Sequence, residues 1–253
     1  MKRIIMLFAA IAIISGTLFA NPSDTTQSES DYGFGRYEGT TLIVHALNGL
    51  KLRLEPTVHA QVITVLDYGE VMTYLGDTPA ATSFNVGYTT GKWVHVDVNG
   101  IDGYVFDGFT SSLPIPEVLP HTSYLTSVLE QYAHGNFNLL QTDTIARSSE
   151  MDDRFHVKYR YTFDENVRLN YDAYWQSESI KLEIPNIRIM DAYHLVKALL
   201  TISDLKDTYG NGLIFKMNDQ GAIYEISDRL KEDIIIKDIG NSVSIEFKAY
   251  VGC

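Results

Sequence analysis

Between positions 41 and 106 the apolar residues recur at every second position. That period belongs to a strand with one buried face, not to a helix. Leu50, Leu52 and Leu54 share one side, and Lys51 and Arg53 the other. Val94, Val96 and Val98 alternate with Trp93, His95 and Asp97. The pattern predicts strands over 41–46, 50–54, 61–66, 71–75, 92–98 and 104–106. Asn48-Gly49 and Asn99-Gly100 are hairpin-type turn signals, and 67–70 reads as a third turn. Residues 76–91 have no period and read as a long polar loop carrying Phe84 and Tyr88. Short strands between tight turns predict a small barrel over 39–110.

Past that point the rhythm changes. Pro114, Pro116 and Pro120 stiffen 111–120 and block both helix and ladder, so this stretch reads as a linker and domain boundary. Leu125, Val128, Leu129 and Tyr132 then fall at helical spacing within 121–134, with Thr122 or Ser123 as cap and Gly135 as terminator. A second helix is predicted over 191–206, capped by Asp191, with Val196, Leu199 and Leu200 in its apolar stripe. Alternation predicts strands over 154–163, 167–175, 179–184, 213–217, 222–226, 234–236 and 243–250. The order is helix, three strands, helix, four strands. On element order alone this reads as a duplicated helix-plus-sheet unit. The expectation for 121–253 is an α+β domain with helices packed on an antiparallel sheet. The fold class of the whole chain is mainly β with α+β.

The first twenty residues fit neither pattern. Lys2 and Arg3 precede an uncharged apolar run, and small residues lead to Ala20. This order reads as a secretory signal peptide over 1–20, too short to span a bilayer comfortably, with an uncleaved anchor as the alternative. Export, to a periplasmic, envelope or secreted location, is the expectation, with no transmembrane segment in the mature chain. Residues 21–38 are polar and read as a flexible tether. Asn21 stands where a lipoprotein would need Cys.

Composition narrows the partners. The 253-residue chain carries a formal charge of −12, and removal of Lys2 and Arg3 would make it more acidic. Nucleic acid and anionic membrane surfaces are therefore not expected partners. Tyr (16) and Phe (11) far outnumber Trp (2), which favours strands. Cys253 is the single cysteine, so no intramolecular disulfide can form and the core must carry the stability.

The run Leu50-Lys51-Leu52-Arg53-Leu54-Glu55-Pro56, then Val62-Ile63, Tyr68-Gly69, Trp93-Val94-His95-Val96 and Gly100-Ile101-Asp102-Gly103-Tyr104-Val105, resembles the bacterial SH3-like (SH3 type 3) family. Lys51 stands where the family has Asn, and Glu55 where it has Gly. The 76–91 loop is longer than usual. The resemblance implies a small barrel that binds a peptide or a cell-wall (peptidoglycan) component in an exported protein, or another envelope protein. Aromatic side chains supply contact area in such grooves, so Tyr68, Tyr74, Phe84, Tyr88, Tyr104 and Phe106 are the candidate ligand residues. Asp77, Asp102 and Asp107 are candidates to meet an amine on a peptide stem. Trp93 and Tyr104 lie in strands that must fill a barrel, which favours core roles. Phe84 and Tyr88, in polar surroundings, favour exposure.

Catalytic signatures are missing. The seven histidines have no metal-type spacing, and a terminal Cys253 has no fold around it to make a nucleophile. Ser203-Asp204-Leu205-Lys206 satisfies Ser-x-x-Lys but falls at a predicted helix end, without the companion Lys-Thr-Gly. No phosphate loop, dinucleotide fingerprint or calcium loop is present. The expectation is a non-enzymatic binding protein without metal or cofactor. The alternatives are an envelope hydrolase targeted by the barrel, and a degenerate barrel serving as scaffold.

Overall fold

The computed structural model describes residues 36–78, 83–117, 124–147, 156–203, 205, 212–219, 221–228 and 233–250. The signal segment, the tether as far as residue 35, the Thr122 and Ser123 caps and Cys253 lie outside these. The architecture is mainly β.

The first half comprises β1 (Thr41–Val44), β2 (Leu50–Arg53), β3 (Val62–Leu66), β4 (Val71–Asp77), β5 (Phe84–Val86), β6 (Thr89–Gly91), β7 (Trp93–Val98), β8 (Ile101–Phe106) and β9 (Thr110–Ser111). Seven of them form one sheet in the order β3-β2-β8-β7-β4-β1-β9. Leu42, Leu52, Leu66, Met72, Val94, Val96 and Val105, drawn from β1, β2, β3, β4, β7 and β8, meet in one core. Side chains from six strands of one sheet can share a core only if the sheet curls on itself. Asn99 (φ 54°) and Gly100 (φ 81°) both take left-handed backbone, as a two-residue hairpin turn requires, so β8 begins immediately at Ile101. Asn48-Gly49 also turns, but it joins no hairpin. β1 is already flanked by β4 and β9, and β2 by β3 and β8.

The stretch read as a loop over 76–91 instead holds a hairpin, β5 against β6, with Val86 opposite Thr89 and the turn at Gly87-Tyr88. Glu55 is not among the left-handed residues, so the family's Gly is not needed there. The Arg53 guanidinium closes that loop by donating to the Ala60 carbonyl (2.7 Å).

The second half comprises α1 (Leu125–Asn136), β10 (Leu139–Arg147), β11 (His156–Phe163), β12 (Arg168–Tyr174), β13 (Ser177–Pro185), α2 (Ile189–Ile202), β14 (Leu213–Met217), β15 (Ile223–Asp228), β16 (Ile234–Asp238) and β17 (Ser242–Tyr250). Its eight strands form one antiparallel sheet in the order β10-β11-β12-β13-β17-β16-β15-β14. β10 was not expected, and it completes the duplication: a helix and four strands, twice. The fourth strands of the two repeats, β13 and β17, pair over nine residues at the centre. One large sheet, rather than a balanced mix of helix and strand, dominates this half. Phe163, Leu169, Ile180, Leu182, Ile245 and Phe247 face the helix residues Leu129, Tyr132, Leu195 and Leu199 in a second core. α1 lies over β13 and β17, and α2 over β15, β16 and β17.

Both helices are displaced from their expected bounds. α1 starts at Leu125 and runs through Gly135, which therefore does not terminate it. α2 starts at Ile189, two residues before Asp191. Asp191 sits in the third helical position, where its Oδ2 accepts from the Arg188 backbone N–H (2.9 Å).

The described residues all fall in one compact unit. Residues 111–116 of the proline stretch are packed into it. Ser111 and Leu113 are fully buried, Leu113 in the second core. The Tyr132 hydroxyl donates to the Pro114 carbonyl (3.1 Å). The tether reading also ends early, because Arg36 is held by the seam described next.

Candidate functional site

Two buried carboxylates and two arginines, far apart in sequence, meet where the barrel touches α2. Asp107 follows β8 and is 2% exposed. Its Oδ2 accepts from Arg36 Nη1 (2.7 Å) and Arg188 Nη1 (2.8 Å), and its Oδ1 from the Lys92 backbone N–H (2.7 Å). Arg188 Nη2 also donates to the carbonyls of Asp107 and Thr110 and to Asp191 Oδ1. Burial alone would raise the Asp191 carboxyl; Arg188 and Arg36 override it and hold it at about 2. Beside this seam, His194 Nε2 donates to the Gly108 carbonyl (2.9 Å). Burial lowers the imidazole to about 4, against that hydrogen bond, which acts to raise it. Asp107, expected to meet an amine on a ligand, is instead a saturated structural group.

The other expected site residues divide. Tyr74 is in the barrel core, and its hydroxyl donates to Asp77 Oδ1 (2.6 Å). Burial, reinforced by Asp77, raises the Tyr74 phenol. Burial would raise the Asp77 carboxyl, but hydrogen bonds from Lys92 and Tyr74 bring it down. Phe106 is buried, and Phe84 packs on it (4.7 Å between ring centroids) and on Trp93 (5.7 Å). Phe84 therefore faces inward, contrary to the exposed reading. Tyr68 is half-buried beside His45 (6.3 Å). Tyr104 and Trp93 are likewise half-buried rather than fully core. Tyr104 stacks on His95 (4.9 Å), whose Nε2 pairs with exposed Asp102 (2.6 Å).

Tyr88 is the one expected aromatic that is well exposed (75%). The hairpin tip carries it onto the second sheet, where it stacks on Phe215 of β14 (5.5 Å, 13°). Tyr193 of α2 meets the same Phe215 edge-on (5.3 Å), and Lys197 Nζ lies 5.4 Å from the Tyr193 ring centre. Together with Leu213 and Met217 these residues bound a groove of about 540 Å³. A smaller cleft of about 340 Å³ lies at the base of the hairpin, between Lys92, Arg188, Met190 and Ile223. The base is tight. A Cβ on Gly91 would stand 2.5 Å from the Gly108 nitrogen and 2.6 Å from Asp107 Oδ1. Sequence reasoning found Tyr88 but not Tyr193, Lys197, Phe215, Arg36 or Arg188. Phe215 and Arg188 act through partners in the other half of the chain, and the other three through residues far from them in sequence or on a neighbouring turn, so no local pattern marks them.

Residues 48–111 match the bacterial SH3 domain family. No curated protein and no solved structure matches the chain significantly. The matched segment of this SH3 domain covers the barrel from the turn before β2 to β9, and it includes the hairpin that reaches the second sheet. Among the described residues, no three His, Cys, Asp or Glu side chains are grouped to hold a metal ion. No helix among them is long and apolar enough to cross a membrane.

Proposed function

We propose that the chain is an exported, non-enzymatic envelope protein whose SH3 domain holds a peptide or a peptidoglycan component at the Tyr88 groove. The observation that carries this is Tyr88 itself. Its ring is largely open to solvent yet fixed in place by stacking on Phe215. A rigid, exposed aromatic offers contact area at low entropic cost. Exposed Lys197 at the same groove supplies a cation for a peptide carboxylate. The apolar N-terminal run after Lys2 and Arg3 supports export. The seam supports binding over hydrolysis, because the polar groups that converge there satisfy one another.

Co-sedimentation of the chain with purified peptidoglycan tests the proposal. Pelleting is expected, with Tyr88→Ala and Lys197→Ala each lowering the bound fraction several-fold. Pelleting no greater than background would sink the proposal. That outcome would favour a scaffold role for the SH3 domain, a second reading that the Tyr88–Phe215 stack and the Arg188–Asp107 pair already motivate.

A further inference from the structure

The two repeats of the second half do not treat their outer strands alike. α2 covers β15 and β16, whereas neither helix makes its main contact with β11 or β12. On the helix-facing side, β13 and β17 present Ile180, Leu182, Ile245 and Phe247. On the same side of β11 and β12, buried Phe163 and Leu169 join that core, and Tyr159, Tyr161 and Tyr171 follow along the strands. Tyr159 is opposite Tyr171 in register, and their rings stack (6.5 Å, 18°). All three tyrosines are only half-buried. They form one wall of a groove of about 480 Å³, with α1 as the other. An ordinary core would carry aliphatic side chains there. A row of polar-tipped rings left half open is a surface prepared for contact.

Charge selects the occupant. Glu178 from β13 and Glu130 from α1 both line this groove, and among the described residues no lysine or arginine does. The Glu178 carboxylate is held in place by two uncharged donors. Tyr171 Oη donates to its Oε2 (3.1 Å), and the Thr126 hydroxyl donates to its Oε1. A carboxylate accepts about four hydrogen bonds, so capacity remains. Burial and the adjacent Glu178 push the Tyr171 phenol up to about 12, so the ring stays neutral beside the acid. Neutral rings with two carboxylates at one groove favour a cation, whose charge meets both the ring faces and the acids.

We propose that the groove between α1 and β11–β12 is a second binding site, which takes the alkylammonium of a lysine side chain presented by an extended partner peptide. The site is separate from the Tyr88 groove, and neither proposal depends on the other.

The test is an NMR titration of the chain with the peptide Ala-Ala-Lys-Ala-Ala, and with its norleucine counterpart, which keeps the alkyl chain and removes the charge. The lysine peptide is expected to shift the ring resonances of Tyr159, Tyr161 and Tyr171. It should bind at least about ten-fold more tightly than the norleucine peptide. Glu178→Gln, which retains an acceptor for Tyr171, and the separate Glu130→Gln should each weaken lysine-peptide binding several-fold while the norleucine peptide is unaffected. Equal binding of the two peptides would overturn the proposal. So would the absence of shifts at these tyrosines with either peptide at millimolar concentration.

Discussion

His194 illustrates how a single side chain ties stability to pH. Its imidazole is buried against the Gly108 carbonyl and titrates near 4 in the fold, below the ordinary 6.5. A depressed folded value means that the native state resists protonation. The stabilisation is therefore complete above about pH 6.5 and is lost as pH falls toward 4, amounting to about 3 kcal/mol. Below that, Asp191 takes over. Its folded value of about 2, against 3.8, withdraws roughly 2 kcal/mol more between those two pH values. Urea unfolding as a function of pH should show the first loss in the parent chain. It should be largely absent in His194→Gln, whose side-chain amide can still donate to Gly108. His45 adds to the same acid loss. Burial lowers it, and its Nδ1 has no hydrogen-bond partner among the described residues. None of this was readable from the sequence, where all seven histidines look alike. Their environments come from residues distant along the chain, such as Leu113 for His45 and Gly108 for His194.

At the scale of elements, legibility follows burial. β7 and α2 were predicted because one face of each is buried, and burial imposes a period on the sequence. β10 was missed because its residues 139–146 are exposed or only half-buried. Its place is set by backbone pairing with β11, across two register shifts, and backbone pairing leaves no side-chain period. The β5–β6 hairpin was missed for the same reason, with only Thr89 and Gly91 buried in it. Its base should be unforgiving. Gly91→Ala would drive a methyl into the Gly108 backbone and the Asp107 carboxylate, and something must shift. A loss on the order of 2 kcal/mol is expected in urea unfolding, as for other overpacked sites. Thr90→Ala, exposed at the next position, should change stability by less than about 0.5 kcal/mol.

For the whole molecule, the decisive feature is the seam that joins two separately cored halves. Arg188 reaches from the start of α2 to Asp107 and Thr110 of the SH3 domain, and Arg36 reaches the same pair of residues from the other end of the chain. Removing Arg188 leaves Asp107 and Asp191 to share the single guanidinium of Arg36, and an under-compensated buried charge costs far more than the pair contributes. Arg188→Gln should therefore lower stability by about 3 kcal/mol. It should also split a single unfolding transition into two, one for each core, as seen by calorimetry. A variant that still unfolds in one step at unchanged temperature would show that the seam does not couple the halves. The sequence by itself determined the SH3 framework, the two helices and most strands, because a one-sided core writes its period into the chain and tight turns demand particular residues. It also pointed to Tyr88. Only the tertiary structure decided that Asp107 is a buried joint rather than a ligand contact, that Phe84 turns inward, and that the tyrosines of β11 and β12 line an acidic groove. Those outcomes depend on which distant residues are brought together, and local sequence carries no record of that.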